Sequence, residues 1–141
     1  MAITFTNIIF DEIVENLAKL INDEFNIPVH YDEHKGVQSF LLTGLSDDFV
    51  TNLSTGVQRE YAVEVNYRLK IGGQYTKNNI KQVSNVMERL KRLIFNNKFL
   101  SGGSQWFDAQ ITTIGYERDE EDDSLLIGIA NFTCQNTEVI T

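Results

Sequence analysis

The chain has 141 residues, 42% hydrophobic and 11% aromatic, with a net charge of −8. That is enough for one domain with its own core, and nothing suggests a second. A single cysteine, Cys134, excludes an internal disulfide framework and cysteine-rich zinc motifs, and no apolar run approaches the roughly 18 residues of a membrane span.

In chain order, the N-terminus MAITFTNIIFDE has no basic region and only a short apolar run, so no signal peptide is expected. Phe10, Ile13, Val14, Leu17, Leu20, Ile21 and Phe25 then recur at three- and four-residue spacing, which predicts an amphipathic helix. Thr6 or Asn7 can cap it, Asp11 and Glu12 suit its positive end, and Pro28 lies just past its end. Short strands are expected at Val29–Asp32 and Gln38–Thr43, joined by a turn near Lys35–Gly36.

Leu45–Gln58 reads as a long loop rich in Ser, Thr, Asn and Gly, yet it holds Phe49, Val50, Leu53 and Val57. Such residues either fold back on the core or meet another subunit. Arg59–Ile71 follows with strict alternation. Tyr61, Val63, Val65, Tyr67, Leu69 and Ile71 face one way; Glu64, Arg68 and Lys70 lie on the other, a mixed-charge face suited to another chain.

A second helix is expected with Thr76 as cap and Ile80, Val83, Met87, Leu90 and Ile94 as its seam. Around it Lys77, Lys81, Arg89, Lys91, Arg92 and Lys98 make up half of all Lys and Arg, opposed only by Glu88. This segment is therefore about +5 and the remainder about −13. Overall acidity argues against general affinity for nucleic acid, while a basic strip can steer a partner or another copy. Gly pairs at 72–73 and 102–103 read as chain reversals on either side of this helix. Two strands close the chain, one alternating from Phe107 to Ile114, the other at Leu125–Cys134, apolar on both faces and so central. The predicted class is α+β, of order α-β-β-β-α-β-β, with two helices on one face of a mainly antiparallel sheet.

Between the last two strands lie Glu117, Asp119, Glu120, Glu121, Asp122 and Asp123, six carboxylates in seven residues. A calcium loop starting at Asp119 would need Gly at its sixth position and Glu at its twelfth; Ser124 and Ala130 stand there. A solvated turn, a docking or charge-repelling surface and adventitious binding of a divalent ion remain. His30 and His34 stand in extended or loop sequence with no further ligand in view, so no zinc site and no other cofactor is expected. Cys134 reads as a buried inert thiol. Phosphate-binding glycine motifs and a nucleophile elbow are missing, and Asp47 and Asp48 have no visible acid–base task. The sequence predicts no enzyme.

The helix FDEIVENLAKLINDEF, the strand IPVHYD, the aromatic-striped strand REYAVEVNYRLK, the helix TKNNIKQVSNVMERLKRLI and the strands QWFDAQITTIGYERD and SLLIGIANFTCQ together resemble the tail-terminator (tail-completion) proteins of tailed bacteriophages. The resemblance covers almost the whole chain in element order and size, without a residue-specific motif. It implies a non-enzymatic homo-oligomer, a hexameric ring at the head-proximal end of the tail tube. Such a ring stops tube polymerisation and offers a surface to the connector or neck proteins. It also implies a place in the virion after assembly in the bacterial cytoplasm, DNA passing the lumen without specific binding, and no membrane. Candidate partner-binding residues are then Glu117 and Asp119–Asp123, Phe49, Val50 and Leu53, Glu64, Arg68 and Lys70, and Lys77, Lys81 and Arg89. A neck or head-completion protein is the alternative within this class; a small ligand-binding α+β module is the alternative outside it.

Overall fold

A computed structural model describes residues 2–71, 75–119 and 125–139. Gly72 and Gly73, and the hairpin tip Glu120–Ser124, lie outside the described residues. The α+β class and the element order are as predicted. A helix opens the chain, first as a wide π segment at Ile8–Val14 and then as α1, Glu15–Phe25. Then come β1 (Val29–His30), β2 (Gln38–Leu53), β3 (Gly56–Lys70), α2 (Lys77–Asn96), β4 (Phe107–Arg118) and β5 (Leu125–Val139). The strands lie side by side as β1-β2-β3-β5-β4. All pairs are antiparallel except β1 with β2, where Val29 and His30 run parallel to Phe40 and Leu41.

Alternation in β3 puts Tyr61, Val63, Val65, Tyr67 and Leu69 under the helices, all buried. The central strand β5 adds Leu126, Ala130, Phe132 and Cys134 to the same face. Val83, Met87, Leu90 and Ile94 of α2, and Ile13, Val14, Leu17 and Ile21 of the first helix, close over them. Trp106 meets Phe132 edge-on at 5.2 Å and donates its indole N–H to the Asn97 carbonyl at 2.9 Å, tying the end of α2 to the start of β4.

Helix caps follow the sequence. Asn7 Oδ1 accepts from the Phe10 amide at 3.2 Å and Thr76 Oγ1 from the Asn79 amide at 3.2 Å. Asn26 turns left-handed to end α1, two residues before Pro28. Phe10 departs from expectation. The π segment spaces its inward residues five apart, so Ile8 pairs with Ile13 in the core. Phe10 is displaced to the rim, 5.4 Å from the Tyr31 ring.

A larger correction concerns Leu45–Gln58, which is not a loop. It forms the outer half of β2 and the start of β3, joined by a turn at Ser54 and Thr55. The pairing register shifts between Gly44 and Ser46 and again between Phe49 and Thr51, so Leu45 and Val50 sit at bulges. Two bulges break the period-two pattern that would have marked a strand.

Gly128 of β5 lies directly beneath Met87; a Cβ there would stand 3.0 Å from Met87 Cγ and Cε. Gly115 on β4 has nothing within 4 Å of a built Cβ. Gly128→Ala is therefore expected to lower stability to urea by about 1–3 kcal/mol through overpacking. Gly115→Ala should be near-neutral in the same denaturation series. Equal effects would mean that α2 does not press on β5 as described.

Candidate functional site

The sheet has two ends of different chemistry. β3 is paired throughout, to β2 on one side and β5 on the other. Its fifteen residues span on the order of 45–50 Å. At its Gly56 end, β2, β3 and β5 run on as a three-stranded arm, with Gly56 opposite Leu53 and Val139. The approach there is close: a Cβ on Gly56 would collide with the Glu138 carbonyl oxygen. At the Lys70 end stands the base of the acidic hairpin.

Phe49, Val50 and Leu53 are all exposed on the arm, but the register sets Phe49, opposite Arg59, on the helix side and Leu53, opposite Gly56, on the other. Neither face of the arm is wholly apolar. Asp47 pairs with Arg59 on the helix side. Asp48 stands directly opposite Glu60 on the other side, two carboxylates in register with no cation within ion-pair distance among the described residues.

At the other end the Asp119 amide donates to the Leu125 carbonyl at 3.3 Å, closing the hairpin base. The Tyr75 hydroxyl donates to the same carbonyl at 3.1 Å, and the Arg118 guanidinium lies 4.6 Å from the Tyr75 ring centre. Glu117 is exposed on β4. Glu120, Glu121, Asp122 and Asp123 fall outside the described residues, so only the anchoring of the segment is on view.

The other predicted residues scatter. Lys77 and Lys81 are exposed near the start of α2. Arg89 is engaged within its own chain: its Nε donates to Glu24 Oε1 at 2.9 Å, its Nη2 to the Glu24 carbonyl at 2.6 Å, and it lies 4.8 Å from the Phe25 ring centre. It fastens α2 to the carbonyl end of α1. On the face of β3 away from the helices Lys70 is exposed, while Glu64 and Arg68 are half-buried.

Residues 31–37 form a strap over this second face, which the sequence did not reveal. His34 reaches from it to two strands, with Nδ1 2.7 Å from Ser39 Oγ on β2 and Nε2 2.9 Å from Asn66 Oδ1 on β3. A neutral ring protonated on Nε2 satisfies both, donating to Asn66 and accepting from Ser39. Ser39 is fully buried beneath it. Arg68 Nη2 reaches the Gly36 carbonyl at 3.5 Å, so Arg68 also faces its own strap. The only sequence hint was Gly36, whose left-handed φ of 79° reverses the chain.

Chemically reactive groups are quiet. Burial pushes the Cys134 thiol up to about 12, holding it as a thiol. Among the described residues no three His, Cys, Asp or Glu side chains cluster as a metal site, and no helix is long and apolar enough to cross a membrane. A cavity of about 330 Å³ opens between α2 and the β4–β5 pair, beside Ile80, Val83, Leu126 and Ile127. Two of its polar groups are engaged, Ser84 Oγ with the Ile80 carbonyl at 3.3 Å and Arg118 with Tyr75.

No protein-family model matches the chain, and no curated protein matches it.

The strap gives a pH response. Desolvation, above all, holds the His34 pKa below its ordinary 6.5; the Asn66 bond opposes the shift, and the Arg68 and His30 charges add to it. The unfolded chain therefore takes up the proton first as pH falls. The stabilisation is present above about pH 6.5 and is lost progressively below it. Urea midpoints should fall from about pH 7.5 to about pH 5.5 by more in the native chain than in His34→Gln, which cannot titrate there. Equal slopes would remove His34 as the sensor.

Proposed function

We propose that the chain is a structural virion subunit whose ring caps the head-proximal end of a phage tail tube. The ring ends tube polymerisation and provides the joining surface for connector or neck proteins. The observation behind this reading is the two-ended sheet: an arm with exposed apolar side chains at one end, an acidic hairpin at the other. A ring between tube and head needs two unlike axial faces. It also needs two unlike lateral faces on every subunit, because a closed head-to-tail assembly joins different surfaces. The basic strip on α2 against an acidic body suits the lateral contacts. The α-β-β-β-α-β-β order over nearly the full chain is what the family resemblance requires, and the inert thiol and the engaged polar groups of the cavity suit a protein without catalysis.

In this reading the partners are further copies of the chain, six to a ring, the tail tube protein and the connector. The acidic hairpin either docks on a basic rim of the next ring or lines the lumen. In the lumen, fixed carboxylates keep DNA phosphates from adhering as the genome slides past.

Solution mass with negative-stain imaging tests the ring. A ring, formed alone or on added tail tubes, with tubes of defined length in its presence, is the expected result. A monomer indifferent to tubes at every concentration would sink the proposal, and a ring that binds head connectors but never tubes would move the chain to the head side of the joint. Replacing Asp119–Asp123 with the corresponding amides should leave the thermal melt unchanged while lowering the yield of infectious particles. Normal particle yield would reduce the hairpin to a solvated turn.

A further inference from the structure

A second exposed apolar patch lies across the sheet from the arm. Phe95 on the last turn of α2 is 61% exposed and Phe99, just beyond it, 66%. Two cations attend the Phe95 ring, Lys98 Nζ at 4.4 Å and Arg92 Cζ at 5.9 Å from its centre. Neither has a carboxylate within 4 Å among the described residues. This platform is apolar and positive.

Its complement in the same molecule is the arm. Phe49 is 57% exposed, and Val50 and Leu53 are each 41% exposed. On the face away from the helices, which Leu53 shares and Phe49 does not, Asp48 and Glu60 stand opposite each other across the β2–β3 ladder, a like-charge pair that raises the free energy of the isolated arm. A guanidinium or ammonium brought between them would relieve that repulsion. The arm is thus apolar and negative where the platform is apolar and positive.

The arm cannot reach its own platform. α2 packs over β4 and β5, whereas Phe49 stands on β2, at the other side of the sheet order. Strand pairing keeps the two apart by two to three strand spacings of about 4.8 Å each. Each subunit therefore presents one complementary surface at either side of its sheet.

We propose that the arm of one copy docks on the Phe95–Phe99 platform of the next, with Lys98 and Arg92 meeting Asp48 and Glu60. The contact is heterologous, so repetition closes a ring or extends a chain. It deepens the ring reading and rests on it for closure, but the contact itself can be tested separately.

Two variants isolate the two surfaces: Leu53→Asp on the acidic face of the arm, and Phe95→Asp with Lys98→Glu on the platform. All three side chains are exposed, and unchanged thermal melts would show intact folds. Each variant alone should lose the native assembly, with association weakened at least about tenfold, as for an interface anchor. Mixed in equal amounts, the two variants retain one good arm and one good platform between them. They should form a one-to-one pair that grows no further, visible by mass photometry with one partner labelled.

A mixture that stays monomeric overturns the contact, as does either variant that assembles like the native chain. So does a native chain monomeric up to its solubility limit. A native assembly of two copies sensitive to both variants keeps the contact and removes the ring; a ring insensitive to both keeps the ring and removes the contact.

Discussion

The structure turns on a mismatch of length. β3 is fifteen residues long and paired on both sides throughout. The longest helix on its face, α2, which lies over β4 and β5, has twenty residues. At about 3.3 Å per strand residue and 1.5 Å per helical residue, the sheet runs on the order of 45–50 Å and the helix about 30 Å. No arrangement of one such layer can cover the whole face, and the strands beyond the helices become the arm. Its apolar residues are exposed because the covering layer stops short of them. Because both edges of β3 are occupied, the arm cannot fold back without breaking a ladder of backbone hydrogen bonds.

The second face of the sheet meets a related constraint by other means. β5 carries Ile127 and Ile129 on that side, next to Arg68 and Asn66 of β3. The seven-residue strap from Tyr31 to Val37 returns across part of it, held through one imidazole to two strands. This also explains the single parallel pair. A short excursion over the sheet lets β2 re-enter in the direction of β1, with the Phe40 amide donating to the Pro28 carbonyl at 2.9 Å. The strap trades the regular pairing of a hairpin for cover over a buried serine.

Most of the fold was legible because its signals are local. The seam of α2 from Val83 to Ile94, its Thr76 cap and the alternation of β3 depend on spacing alone and stand where spacing placed them, whereas Ile80, expected in the same seam, is exposed beside the cavity. The failures share a cause: one residue too many. A π turn moved Phe10 out of its seam, and two bulges turned a strand into an apparent loop. An inserted residue shifts the phase of every later side chain, so a fixed period misses it. Of the candidate surface, Phe49, Val50 and Leu53 stood out by composition. Phe95 and Phe99, off the predicted seam, carried no signal of their own in the sequence. Arg89 shows the converse. Its charge suggested a partner, and its partner is Glu24 of the same chain.

The same geometry restricts what assembly can be. Arm and platform stand at different edges of a sheet whose third feature, the acidic hairpin base, lies at its far end. Lateral contacts through arm and platform would leave that end unoccupied and repeat it once per subunit. A negative segment repeated around an axis sums to a field much larger than one chain provides, felt most where low-dielectric walls enclose it. In the proposed ring these segments would form a collar, with their self-repulsion offset by the lateral contacts between subunits. On the ring proposed above, the charge distribution would act only in the assembled state, and the sheet too long for its helices and the acidic segment would serve the same assembly.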